Sequence, residues 1–324
     1  MYGAQERFNY QGQDYDLRQI HLQRFDTGAA VGPEFGTNID DGSSADPDTF
    51  TGLGENGIAG FADTSTADSL GQLFAVHNDD NQQGGNDVAL AQLDLATGGK
   101  KSDTAIPGTN GATVSSSLLA TPPNAAGGRE LFFVAYYGTS TRLFRVPVAD
   151  AGSAGASIGT VTSVAVPQGN PYSSPTLAYL RDPAGNPRPY VAVGAKDTSQ
   201  ADTVQTYAAS DLAPGPRSGN LGGSAQTPTV PLASSGLTPG EPGSGVQVTP
   251  HLYVALDTGG NTRVHRVTQA GSSQTLTSTA SSPSLGGAPS PGIATSQRID
   301  PERRGFERAG GCDLGVQPVG AAYE

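Results

Sequence analysis

Residues able to do chemistry fall in a few short groups. The segment Asp79-Asp80-Asn81-Gln82-Gln83-Gly84-Gly85-Asn86-Asp87 puts oxygen-bearing side chains at relative positions 1, 3, 5 and 9, with Gly at position 6. Alternate residues of such a loop turn inward and the glycine permits a sharp bend, so hard oxygen ligands can surround a calcium ion. The expected metal ligands are therefore Asp79, Asn81, Gln83 and Asp87, with Ca2+ as the cofactor. Two departures weaken the pattern: Gln83 offers a neutral amide where a carboxylate is usual, and position 12 is Leu90 rather than a bidentate Glu. The competing reading is an acidic hairpin loop that solvates itself. A second acidic stretch, Asn38-Ile39-Asp40-Asp41-Gly42 with Asp46 and Asp48, has no recognised ligand spacing.

Catalytic groupings are weaker. Gly155-Ala156-Ser157-Ile158-Gly159 matches the nucleophile-elbow letters, but that chemistry needs a strand-to-helix turn, and no helical pattern follows. His21, His77, His251 and His265 form no ligand pair at helical spacing, and strand packing or a surface place suits them better. Asp94, Asp211 and Asp257 could supply the paired carboxylates of a propeller-type glycosidase, but each sits where a turn begins. The expectation is no catalytic residue, with an enzyme as the less favoured outcome.

Composition limits the partners. Gly 45 and Pro 24 make about a fifth of 324 residues, and Leu, Ile, Val and Phe sum to 61, so the chain is turn-rich with a modest core. Residues 1–103 hold seventeen Asp/Glu against five Lys/Arg, whereas 104–324 hold thirteen of each, so the whole net charge of −12 sits in the first third. Such a field repels nucleic acid and anionic membrane and attracts cations. No run approaches 18 apolar residues, so no membrane insertion is expected. The one cysteine, Cys312, excludes an internal disulfide and leaves an intermolecular one open. Neutral polar residues dominate, which suggests an extracellular, cell-surface or particle-surface place. Met1 starts no basic and apolar leader, so the expectation is a mature form or a fragment.

The elements that position these groups repeat. Hairpins of β-branched and aromatic runs begin at Leu73, Leu131, Tyr190 and Leu252, spacings of 58, 59 and 62 residues. Short strands precede them, centred on Ile58, Leu118, Thr176 and Thr229, with a fifth at Ser284. Three to four strands per roughly 50–60 residues is the period of a β-propeller blade, whereas solenoid coils repeat about every 20–30 residues. The fold expected is all-β, a β-propeller of about five blades closed by pairing of N- and C-terminal strands. Six or seven blades are expected instead if strands hide in 29–56 or 286–324, and a β-solenoid is the alternative. The propeller then spans 1–298, with strands in 8–26 completing the last blade, and 299–324 is a tail carrying Arg303, Arg304 and Arg308.

Val88-Ala89-Leu90-Ala91-Gln92-Leu93-Asp94-Leu95-Ala96-Thr97-Gly98, behind a Ser-Pro-led strand, resembles the pyrroloquinoline-quinone-like (quinoprotein-type) propeller repeat. The resemblance covers most of 57–285 and implies the fold more than an activity. Quinoprotein enzymes carry blade-docking tryptophans and adjacent cysteines; here there is no Trp and one Cys, so no such cofactor is expected. The acidic hairpin loop is similar to the calcium site in propeller domains of type IV pilus tip adhesins. Asp14-Tyr15-Asp16-Leu17-Arg18 and Arg24-Phe25-Asp26 weakly resemble strands of those domains. The expected function is that of a non-catalytic surface propeller that binds a protein or surface glycan, in adhesion or assembly. The alternatives are a propeller hydrolase or lyase acting at a central funnel, and a structural component of a filament, S-layer or virion. Recognition would use long loops such as 29–56 and 231–249.

Overall fold

The computed structural model describes residues 2–10, 13–21, 58–61, 72–81, 85–94, 100–114, 116, 118–121, 128–138, 140–150, 156–167, 173, 175–196, 201–222, 230–235, 251–257 and 261–284. These residues are all-β, and no helix occurs among them. They belong to two compact units, one holding Met1–Pro175 with Ala209–Ala213, the other Thr176–Ala208 with Pro214–Glu324.

The first unit opens with β1 (Tyr2–Tyr10) and β2 (Gln13–His21), an antiparallel pair in which Phe8 faces Tyr15. Of the N-terminal strands expected in 8–26, β2 and the end of β1 are described, and β2 pairs with Tyr2–Tyr10, whose alternation of aromatic and polar residues suits a two-faced strand; 22–26 lie outside the described residues. Next come β3 (Ile58–Phe61), β4 (Gln72–Asn81), β5 (Gly85–Asp94) and β6 (Lys100–Ala105), hydrogen-bonded in that order as one antiparallel meander. Then β7 (Thr113–Val114) and β8 (Leu119–Ala120) share one edge of β9 (Arg129–Tyr137). On the other side β10 (Ser140–Asp150) pairs with β9, and its far edge takes β11 (Ala156–Ile158) and β12 (Thr162–Val166). Both sheets thus have four lanes, the second with split outer lanes. The β9–β10 turn has two residues, and Gly138 takes φ +57°, the left-handed conformation that two-residue hairpins require.

These two sheets bury one core: Phe74 and Val76 of β4, Val88 and Leu90 of β5, and Leu131, Phe133, Phe144 and Val146 of β9 and β10. Phe133 and Phe144 stack with centroids 5.1 Å apart and planes within 2°. Phe132 and Val134, on the opposite face of β9, are also fully buried, so this strand is covered on both faces.

The second unit repeats the plan. Strands β13 (Thr176–Arg181), β14 (Pro187–Lys196) and β15 (Asp202–Ala208) form a meander. Residues 214–222 run along β15 as a fourth lane, with Gly215 N donating to Thr206 O, Leu221 N to Asp202 O, and Asp202 N to Gly222 O. Within that lane β16 (Arg217–Ser218) also pairs in parallel with β20 (Thr275–Ser281). The last sheet is β17 (Val230–Ser235), β18 (His251–Asp257), β19 (Thr262–Gln269) and β20 in meander order. Residues 231–235, expected within a recognition loop, are therefore strand. Pro231 donates no ladder bond and reads as a loop, yet it is tolerated here because β17 is an edge strand with a register shift between Pro231 and Ser234. The core is aliphatic, with Leu180, Ala192, Val204, Leu252, Val254, Leu256, Val267 and Leu276 around Tyr190.

The repeat extends to the way strand ends are closed. Val88 N donates to Thr109 Oγ1 at 3.0 Å, Val204 N to Ser218 Oγ at 2.8 Å, and Val264 N to Ser282 Oγ at 3.0 Å. Each valine lies in the third lane of its sheet, and the three stand 116 and 60 residues apart, two periods and one. In each case a hydroxyl of the fourth lane or of the residues just after it takes the place of a ladder carbonyl, so these three N–H groups keep an acceptor. Ser282, read from the sequence as the start of a fifth unit, closes the fourth in this way.

Candidate functional site

The first hairpin carries the metal-ligand spacing. Its ladder continues to the turn, with Asp79 opposite Asp87, Asp80 opposite Asn86 and Asn81 opposite Gly85. The nine-residue loop read from the sequence is thus a three-residue connection, 82–84, on paired strands. The period of two places Asp79, Asn81 and Asp87 at register positions on one face of the hairpin end. The residue types at those register positions, two aspartates and an asparagine, are ones suited to a hard cation. Gln83 lies outside the described residues, as do 22–57, 236–250 and 285–324, which hold the second acidic stretch, both recognition loops apart from 231–235, Arg303, Arg304, Arg308 and Cys312.

The other groups singled out from sequence have structural places. Ser157 lies in β11, exposed, with its hydroxyl donating to Ala149 O at 3.3 Å across the ladder, not on a strand-to-helix turn. His21 ends β2, and His77 faces Ala89 within the β4–β5 ladder. His251 meets Tyr253 edge-on with centroids 5.4 Å apart. His265 Nδ1 lies 3.1 Å from Ser278 Oγ, and burial, helped by the nearby Arg263 charge, holds its pKa below the ordinary imidazole value. Asp94 and Asp257 end β5 and β18. Asp211 caps its own turn, accepting from Ala213 N at 3.0 Å, beside Leu212 at φ +58°.

Other polar groups carry no sequence motif. Lys196 and Asp202 are directly opposite across β14–β15, their side chains 9% and 0% exposed, and Lys196 Nζ donates to Asp202 Oδ1. Gln269 is fully buried and joins two sheets of the second unit. Its Oε1 accepts from Arg181 N at 2.7 Å, while its Nε2 donates to Arg181 O and Ser273 O, both at 2.8 Å. Arg145 Nη2 meets Glu130 Oε1 at 2.9 Å on a half-buried face. Tyr207 donates to Gln205 Oε1 at 3.0 Å, and burial pushes its phenol up to about 12. Sequence reasoning missed Lys196, Asp202 and Gln269. Each stands at the end of a strand, where a polar residue reads as the edge of a turn.

The last sheet differs. Its register skips Thr279, a bulge that brings the Thr279 hydroxyl within 3.2 Å of Arg266 Nε and 2.8 Å of Thr268 Oγ1. Arg266 of β19 and Thr275, Thr277, Ser278, Thr279 and Ser281 of β20 are exposed, setting hydroxyls beside the Arg266 guanidinium on the last two lanes. No protein-family model, no curated protein and no solved structure matches the chain.

Proposed function

We propose that this chain is a non-catalytic, five-bladed β-propeller of an extracellular or particle surface that binds a protein or surface glycan. Its N-terminal strands complete the blade that begins after Ser282, and Ca2+ braces the Asp79–Asp87 hairpin. The repeated four-lane meanders and their hydroxyl closures support the propeller. The observation that carries the binding reading is the contrast in how polar groups are used. Buried ones are spent on strand-to-strand bonds, as in Lys196–Asp202 and Gln269–Arg181, while the strip around Arg266 and Thr279 faces solvent. A rigid sheet presenting fixed hydroxyl and guanidinium donors suits polar recognition.

The test is binding of the full chain to immobilised extracellular proteins and glycans, with and without calcium. Saturable binding weakened by Arg266→Glu supports the reading. Turnover of a glycan, or binding indifferent to Arg266→Glu, contradicts it. A melting temperature that rises with calcium in the parent and stays fixed in Asp79→Ala/Asp87→Ala supports the metal; no shift in the parent removes it.

A further inference from the structure

We propose that Lys196 and Asp202 condense to an intramolecular amide, a covalent staple across the β14–β15 hairpin. The pair is cross-strand and directly opposite, and both side chains are within a tenth of full burial. Cross-strand partners in an antiparallel ladder have Cβ atoms about 4.5–5.5 Å apart, a span that a lysine stem and an aspartate carbonyl bridge. The alternation of β14 and β15 puts the pair on the face that holds Tyr190, Ala192 and Val204, at one end of the aliphatic core. Asp202 is held in place by two backbone bonds to the fourth lane, from its N to Gly222 O and from Leu221 N to its O. The amine already donates to the carboxylate.

Three conditions for condensation thus coincide: contact, fixed geometry and little water. Holding two reacting groups together replaces a bimolecular encounter with an effectively unimolecular one. Removing water lowers the cost of moving the proton from ammonium to carboxylate along their hydrogen bond, which leaves a neutral amine beside a carboxylic acid. Nζ then attacks Cγ. The Nζ–Cγ bond forms, one Cγ–O bond breaks, and that oxygen leaves as water with the acid proton and one amine proton. No oxidant, reductant or other reactant is needed. The chain has one cysteine and so no internal disulfide. An amide here would supply the cross-link that small-core surface domains obtain from disulfides.

The test is the intact mass of the full chain, measured denatured, with a tryptic digest. The expected mass is one water below that of the sequence, and Lys196, as an amide, resists trypsin. The digest then yields Asp182–Arg217 as one peptide lighter by one water, because Arg188 precedes Pro189 and is not cut. The loss must vanish in Lys196→Met and in Asp202→Ala. A parent of full sequence mass with cleavage after Lys196 overturns the proposal. So does a water loss that survives Lys196→Met, since that loss would belong to another site, such as cyclisation at Asp41-Gly42. The parent measurement needs no variant to fold.

Discussion

The two units build the same sheet plan from different materials. In the first, Phe74, Phe133 and Phe144 fill the space between sheets, two of them stacked. In the second, no phenylalanine is among the described core residues; Leu, Val and Ala are, around one tyrosine. Smaller side chains demand closer backbones. Gly215 shows this, since a Cβ there would lie 2.4 Å from Tyr190 Cε1 and 2.7 Å from Thr206 Oγ1. The first unit fills volume with rings, whereas the second removes volume by bringing a fourth lane against a tyrosine. Both units bury polar side chains, Gln92 and Arg129 in the first and Lys196, Asp202 and Gln269 in the second, while the Arg145–Glu130 pair of the first stays partly wet.

That contrast can be broken from either side. The largest effect is expected from Phe133→Ala, which removes a fully buried ring and half of the stack. It should cost about 3–5 kcal/mol in chemical denaturation, because the surrounding sheets cannot collapse into the void. A loss below that of Val254→Ala in the second unit would mean the aromatic packing contributes little. Gly215→Ala comes next, at about 1–3 kcal/mol, since Tyr190 has nowhere to move without disturbing its core. Adding Tyr190→Leu should recover part of that loss; strict additivity would show that the close approach is not the cause.

Gln269→Leu probes the polar link. It leaves Arg181 N–H and C=O without their Gln269 partners and should cost about 1–3 kcal/mol, against about 0.5 kcal/mol for Arg145→Gln at the wetter pair. Similar values for both would erase the distinction between buried and exposed pairing. The smallest effect concerns pH. His265 has its folded pKa depressed below the unfolded value of about 6.5, so the unfolded chain binds the proton more readily. Its contribution is full above pH about 6.5 and is lost as pH falls from there towards the folded pKa. His265→Asn should flatten the melting-temperature profile over that acid side. An unchanged slope would assign the dependence to other groups.

Much of this plan was legible. The hairpins at Leu73, Leu131, Tyr190 and Leu252 fall in β4, β9, β14 and β18, because inner lanes are apolar and β-branched. The outer lanes were not. Lys100–Ala105 and Thr275–Ser281 expose most of their described residues and so show no apolar alternation, and pairing with β5 and β19 is what makes them strands. The same limit applies to the site. The acidic spacing at 79–87 was visible as letters, but the ladder that narrows its loop to 82–84 depends on partner register. Lys196–Asp202 and Gln269–Arg181 join residues 6 and 88 apart, and no local pattern announces the second.

The most direct test of the propeller account is hydrogen exchange on the full chain and on a chain lacking residues 1–26. Closure by the N-terminal strands predicts that the truncation strips protection from β17–β20, locally or with the whole fold. Amides of Leu252–Leu256 and Val264–Val267 that stay as protected as in the full chain would contradict a ring closed by those strands.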